Sequence, residues 1–177
     1  MSSKHPIPDS YWVFPDRFLA GEYPGARNEP EMLAKLSALL DAGVTRFIDL
    51  TEEGEYSLRP YADVVQSLAA QRAVHVQHRR FSIPDMGTPA PAHLRQILDT
   101  IDAELGAGEV VYVHCFGGIG RTGTVVGCHL VRGGIPGDEA LAKIAALRSD
   151  TPDGWRRSPE TDAQRNLVLS WHEGMVQ

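Results

Sequence analysis

The stretch that most constrains this chain is EVVYVHC, residues 109–115, followed by the loop FGGIG and then RTG. An apolar run of this length, stopped by glycines and leading into a helical pattern near Arg121, reads as a buried strand feeding a helix. The same grammar recurs along the chain. YWVF (11–14) and RFLAG (17–21) form a candidate edge hairpin joined at Pro15-Asp16. Residues 29–43 place apolar side chains at 32, 33, 36, 39 and 40 and stop at Gly43, which predicts a helix. VTRFIDL (44–50) and VHVQHRRF (74–81) are strand candidates, and 83–91 is loop. Helices are expected over 59–71, with Pro60 in the first turn, and over 92–105. Two more, about 138–148 and 159–172, close the chain. Strands alternating with helices across short loops require parallel pairing. The expected fold class is α/β, a central and mainly parallel twisted sheet of about five strands flanked by helices. Residues 1–177 are read as one domain, since 177 residues bury a sizeable core without staples.

Composition narrows the function. The formal net charge is −6, which excludes broad electrostatic affinity for nucleic acid or an anionic membrane. The first residues carry no apolar h-region, and no run reaches the ~18 apolar residues of a membrane span. Two cysteines, Cys115 and Cys128, give neither a disulfide framework nor a four-cysteine zinc pattern. The expectation is a reducing compartment, the cytoplasm. His75 and His78 sit three apart on a strand, so they face opposite sides and do not share a metal.

An acidic protein can still hold one phosphate if backbone and a few cations are built around it. The glycine loop admits three readings. Gly118-Ile119-Gly120-Arg121-Thr122-Gly123 fits the dinucleotide fingerprint G-x-G-x-x-G. It lies too deep in the chain, however, and the acidic residues some 20 positions on, Asp138 and Glu139, open a helix. A nucleotide P-loop needs a lysine after the glycines, and none follows. The second reading makes Cys115 a small core hydrophobe beside a tight turn. In the third, Phe116, Gly117, Gly118, Ile119 and Gly120 form an anion nest, and the helix beginning near Arg121 adds its N-terminal partial charge. Arg121 grips two phosphate oxygens at once, which a lysine cannot do. The field that holds phosphate also stabilises a thiolate, so Cys115 becomes a nucleophile below the bound phosphorus. Thr122 is placed to donate its hydroxyl to the sulfur, and His114 to brace the loop from behind.

HCFGGIGRTG resembles the signature His-Cys-x5-Arg-Ser/Thr-Gly of the cysteine-dependent protein tyrosine phosphatase superfamily, in its compact dual-specificity-like branch. His114, Cys115, Gly118, Arg121, Thr122 and Gly123 fill every fixed position. The resemblance implies hydrolysis of phosphate monoesters through a phosphocysteine, with no metal and no cofactor. It implies a general-acid aspartate on the loop before the signature strand, which Asp85 in FSIPDMGTP fits by position. It also implies a C-terminal glutamine that places the attacking water, matched by Gln164 in SPETDAQRNLV, where Ser158 and Pro159 read as helix cap and first turn. The bland reading of Gln164 is an exposed helical side chain. Cys128 reads as core packing, Asp49 as a strand-end turn or cap, and Arg79, Arg80, Arg156 and Arg157 as either a cationic rim or solvated surface.

The five residues between Cys115 and Arg121 carry no charge. That favours a phosphorylated protein side chain, with Phe116 against an aromatic leaving group, over a polyphosphorylated head group. Tyrosine-only and dual specificity both stay open. A phosphatase of small-molecule or inositol phosphates and a non-catalytic phosphate-binding module are the alternatives. The oligomeric state is not legible.

Overall fold

The computed structural model describes residues 4–173. The elements run β1 (Ser10–Phe14), β2 (Phe18–Gly21), α1 (Glu29–Asp41), β3 (Arg46–Asp49), α2 (Ala62–Gln71), β4 (Gln77–Arg80), α3 (Pro91–Gly106), β5 (Val111–His114), α4 (Gly120–Arg132), α5 (Gly137–Arg148) and α6 (Asp162–Ser170). The sheet order is β1-β2-β5-β3-β4, with only β1 and β2 antiparallel. The expected α/β class and five strands are what the structure contains. The hairpin also forms, although only β1 is an edge, because β2 pairs with β5. The strand that carries the cysteine therefore lies in the middle of the sheet.

Strand alternation separates two cores. Val111 and Val113 of β5, Phe18 and Ala20 of β2, and Ile48 of β3 pack with α3, α4, α5 and α6. Tyr112, Leu19 and Phe47 point the other way, against α1 and α2. Side chains two apart share a face and neighbours do not, so each of these strands feeds both layers. In α1 the buried residues Met32, Leu36 and Leu39 recur at helical spacing. At roughly 1.5–3 kcal/mol per buried side chain, packing outweighs intrinsic helix preferences of a few tenths. Asn28 caps the helix, its Oδ1 accepting from the Glu31 amide at 2.8 Å. Helix α4 is buried from Gly120 through Leu130, so the helix leaving the glycine loop is the central one of its layer.

Two expected boundaries are corrected. Helix α2 begins at Ala62, and Pro60 lies before its N-cap Tyr61, outside the first turn. The buried Tyr61 is anchored to the site by its hydroxyl, and residues 58–61 run without helix into Ala62. Helix α6 is capped by Thr161 and starts at Asp162, so Ser158 and Pro159 are neither cap nor first turn. The Ser158 hydroxyl instead donates to the Ile119 carbonyl at 2.6 Å, a tertiary bond to the glycine loop that local cap chemistry does not reveal. Among the described residues no helix is long and apolar enough to cross a membrane.

Candidate active site

Strand registers place Gly21, His114, Asp49 and Arg80 in one row across the C-terminal edge of the sheet. That edge is where parallel sheets present their ligand sites. His114 is fully buried, with Nδ1 3.1 Å from the Cys115 carbonyl and Nε2 2.6 Å from the Tyr61 hydroxyl. A carbonyl only accepts, so Nδ1 carries the proton and Nε2 accepts from Tyr61. Burial lowers the His114 pKa and raises that of Tyr61 well above the phenol range, which keeps both groups neutral in this chain of bonds. Asp49 is the buried charge beside them. Burial opposes its ionisation, but His114 nearby, a hydrogen bond with His78 at 3.0 Å and two from Thr51 hold its carboxyl far below the usual range. Its strand-end cap role is real, and Arg80 joins it at 3.3 Å.

The loop above this row is held by its carbonyls. Phe116 O accepts from the Tyr23 amide at 2.9 Å, and Ile119 O from Ser158. Gly118 has φ +73, and a Cβ there would strike the backbone of Gly21, so only glycine fits on both counts. Cys115 is 3% exposed at the loop's start.

Arg121 sits in the first turn of α4 and is almost fully buried. Its Nη1 and Nη2 grip both oxygens of Glu55 at 2.7 and 2.6 Å. Nη1 also donates to Ile83 O at 2.9 Å, and Nη2 lies 3.2 Å from Asp85 Oδ1. One guanidinium thus ties together the loop after β3, the loop after β4 and the helix N-terminus. Burial alone would favour losing its proton, but the Glu55 hydrogen bonds and the surrounding negative groups push its pKa higher still. Its Nε is buried without a hydrogen-bond partner among the described residues.

The sequence-derived candidates do converge. Asp85, Cys115, Phe116, Gly117, Ile119, Gly120 and Arg121 line one cleft of about 930 Å³. His114, Thr122 and Gln164 are buried next to that lining, the Gln164 amide lying against Gly120. Asp85 Oδ2 accepts a hydrogen bond from the Tyr56 hydroxyl. Phe116 is half exposed at the rim, its ring 5.2 Å from that of Tyr56. The Thr122 hydroxyl is buried and makes no hydrogen bond among the described residues, so the expected donation to the Cys115 sulfur is not formed. Gln164 is fully buried, not exposed, and occupies the third helical position. Its Oε1 accepts from the Thr161 amide at 3.0 Å in a capping box, and its Nε2 donates to Gly87 O at 3.0 Å, which ties the Asp85 loop to α6. Of the four arginines, Arg156 alone lines the cleft, paired with Glu160 at 2.7 Å, while Arg80 serves Asp49. Arg157 pairs with Asp162 at 2.9 Å, and Arg79 stands 3.9 Å from Glu104. Cys128 is fully buried, and burial pushes its thiol pKa up, as a packing residue requires. Among the described residues no His, Cys, Asp and Glu cluster suits a metal ion.

Glu55 and Tyr56 are the site residues that motif reasoning missed. The available signal was topological: GEYS follows a parallel strand beside β5, at the edge where β5 ends.

The family model "Tc-R-P: Polymorphic toxin system, DSP-PTPase phosphatase" matches residues 25–135. The chain belongs to this DSP-PTPase phosphatase family. The mouse dual specificity protein phosphatase CDC14B is 29% identical over 131 residues, covering 70% of this chain and 24% of its own length. A relative in Invertebrate iridescent virus 3 is 33% identical over 164 residues, covering 86% of this chain and 61% of its own. The chain thus spans about a quarter of the first relative and under two thirds of the second. The crystal structure of Tk-PTP in its active form superposes with a TM-score of 0.70 at 26% identity, covering 96% of this chain and 99% of that one. PTPMT1 in complex with PI(5)P shares the fold at a TM-score of 0.66 and 24% identity, covering 87% and 88%. The DSP-PTPase signature coincides with the loop and helix start that form the cleft floor.

Proposed function

We propose that this DSP-PTPase chain acts as one phosphatase domain that hydrolyses phosphate monoesters, phosphotyrosine on proteins foremost and phosphoserine or phosphothreonine with it, through a phosphocysteine at Cys115. The observation that carries this reading is the convergence of Cys115, Asp85 and Arg121 on one cleft, with Arg121 Nε a buried donor lacking a partner among the described residues. Glu55 holds the far edge of the guanidinium, which leaves Nε for one phosphate oxygen and, once Asp85 moves off it, the outer hydrogen of Nη2 for a second. With the carbonyls of Cys115, Phe116 and Ile119 bonded away from the cleft, the amides of 116–120 and the N-terminus of α4 supply the rest of the anion cradle.

In the first step the Cys115 thiolate attacks phosphorus, the ester P–O bond breaks, and protonated Asp85 gives its proton to the departing oxygen. In the second, water attacks the phosphocysteine. Asp85 takes a water proton, the P–S bond breaks, and inorganic phosphate leaves with the thiolate restored. Gln164 has one N–H on Gly87 and a second to offer the attacking water, its amide lying against Gly120. Stabilisation of the equatorial oxygens by fixed donors is the dominant contribution expected in phosphoryl transfer. Tyr56 and Phe116 on the rim suit an aryl leaving group. Two free, buried thiols support a reducing compartment, the cytoplasm, as its location.

A second reading, an inositol or other small phosphate as substrate, is favoured by the volume of the cleft, about 930 Å³, and by the neighbour crystallised with PI(5)P. Hydrolysis of p-nitrophenyl phosphate in EDTA tests the reaction. Activity in the wild type that Cys115→Ser abolishes is the expected result, and activity retained by the mutant contradicts the nucleophile assignment. A panel of phosphopeptides against phosphorylated sugars and inositols then separates the two substrate classes.

A further inference from the structure

Asp85 does not stand where a general acid does its work. Both of its carboxylate oxygens are occupied, Oδ1 by Arg121 Nη2 at 3.2 Å and Oδ2 by the Tyr56 hydroxyl. The Nη2 contact is the one a phosphate oxygen needs, so the acid's own carboxylate fills part of the phosphate site. The phenol that completes this arrangement comes from a different loop, and it is turned toward Asp85 by unusual backbone. Gly54 has φ +76, Tyr56 φ +49 and Ser57 φ +54, and on the opposite side Met86, next to Asp85, has φ +62. Residues other than glycine adopt this left-handed region at a cost, and such strain persists where the surroundings enforce it. The strained residues are also exposed, Tyr56 at 60% and Met86 at 50%, so neither loop is packed into place at its tip. Glu55, one residue earlier, is by contrast sealed against Arg121 at 6% side-chain exposure.

We infer that Tyr56 is a positioning residue that parks Asp85 on Arg121 in the free enzyme, so that phosphate binds only by displacing the acid from Nη2. The inference rests on the phosphatase reading above. Tyr56 touches no reacting atom, and its effect passes entirely through the Asp85 carboxylate. Substrate arrival is thereby coupled to release of the acid: the phosphate that takes Nη2 breaks one of the two contacts that park Asp85 and leaves only the hydrogen bond to an exposed phenol. The Tyr56 ring stays against Phe116 while its hydroxyl lets go, so the rim keeps its aromatic surface.

Calorimetric titration of inorganic phosphate into wild type, Tyr56→Phe, Asp85→Asn and the double variant tests this without relying on turnover. Tyr56→Phe keeps the ring and removes only the donor at an exposed site. It is expected to bind phosphate about threefold or more tightly, the scale of one lost hydrogen bond at a surface. In the Asp85→Asn background the same change is expected to do nothing, because the charged carboxylate it acts through is gone. The KM for p-nitrophenyl phosphate should fall with the phosphate Kd in Tyr56→Phe. Unchanged or weaker phosphate binding in Tyr56→Phe overturns the inference, as does a gain of equal size in both backgrounds. If the wild type hydrolyses the ester while either of those results holds, only the parking role falls. If no variant binds phosphate and the wild type is inert, the phosphatase reading falls with it.

Discussion

Beneath the glycine loop, Asp49, His114 and Tyr61 are sealed, with His114 hydrogen-bonded to Tyr61 and Asp49 to His78 and Thr51, while above it Tyr56, Asp85, Met86 and Phe116 stand partly in solvent. Asp49 and His114 sit on paired strands of the sheet, where register sets their neighbours, and Tyr61 reaches them from the N-cap of α2. Tyr56, Asp85 and Met86 of the upper set sit on two loops containing left-handed residues and joined by the Tyr56–Asp85 hydrogen bond, while Phe116 lies against the Tyr56 ring from the glycine loop. Arg121 belongs to both, buried like the floor and bonded to the rim through Glu55 and Asp85. A phosphate-transfer site needs both properties. Its cradle must be fixed before the reaction, since preorganised donors cost no rearrangement at the transition state. Its acid must move between a leaving oxygen and a water, which a packed side chain cannot do.

The contrast can be broken at either level. The largest expected effect is at the shared residue: Arg121→Lys loses the planar fork, and kcat/KM should fall about 10²–10³-fold on every substrate. A fall confined to poor leaving groups would place Arg121 with the rim instead. Asp85→Asn should cost about 10²-fold on alkyl phosphates and much less on p-nitrophenyl phosphate, whose leaving group hardly needs a proton. Equal losses on both would remove the general-acid role. Tyr61→Phe leaves the buried His114 Nε2 without its donor and should lower unfolding stability by about 1–3 kcal/mol, read by denaturant titration. Asp85→Asn should leave that titration nearly unmoved. The smallest effect is in pH dependence. Burial lowers the His114 and His129 pKa values in the folded protein, so below about 6.5 the unfolded chain binds more protons and stability falls. Asp49, lowered in the folded state, adds to the loss only as pH drops below about 3.9. Denaturation midpoints should therefore decline from pH 7.5 to pH 5, and less steeply in His114→Asn.

The floor was legible in the sequence because its information is local. One contiguous stretch, His114 to Gly123, specifies strand end, loop and helix start, and the periodicity of the flanking segments places it within an α/β sheet. The rim was legible only in part. Asp85 is marked by its position before the signature strand, but Glu55 and Tyr56 reach the site through the pairing of β3 with β5, which no local pattern encodes. The errors at α2 and α6 have the same origin. Pro60 and the Ser158-Pro159 pair obey helix-start chemistry, yet the Tyr61 and Ser158 side chains are committed to His114 and Ile119, distant in sequence. Gln164 was singled out through the resemblance, and its burial in a capping box emerged only when α6 met the Asp85 loop.

The most direct test of the account is a rapid-quench measurement with a chromogenic phosphate monoester, in EDTA, followed by mapping of the covalent phosphate. The account predicts a burst of about one equivalent of leaving group when hydrolysis of the intermediate is rate-limiting, as slowing the second step with Gln164→Ala should make it, with the phosphate on the peptide containing Cys115. Label on another residue, or full turnover through Cys115→Ser, would contradict it.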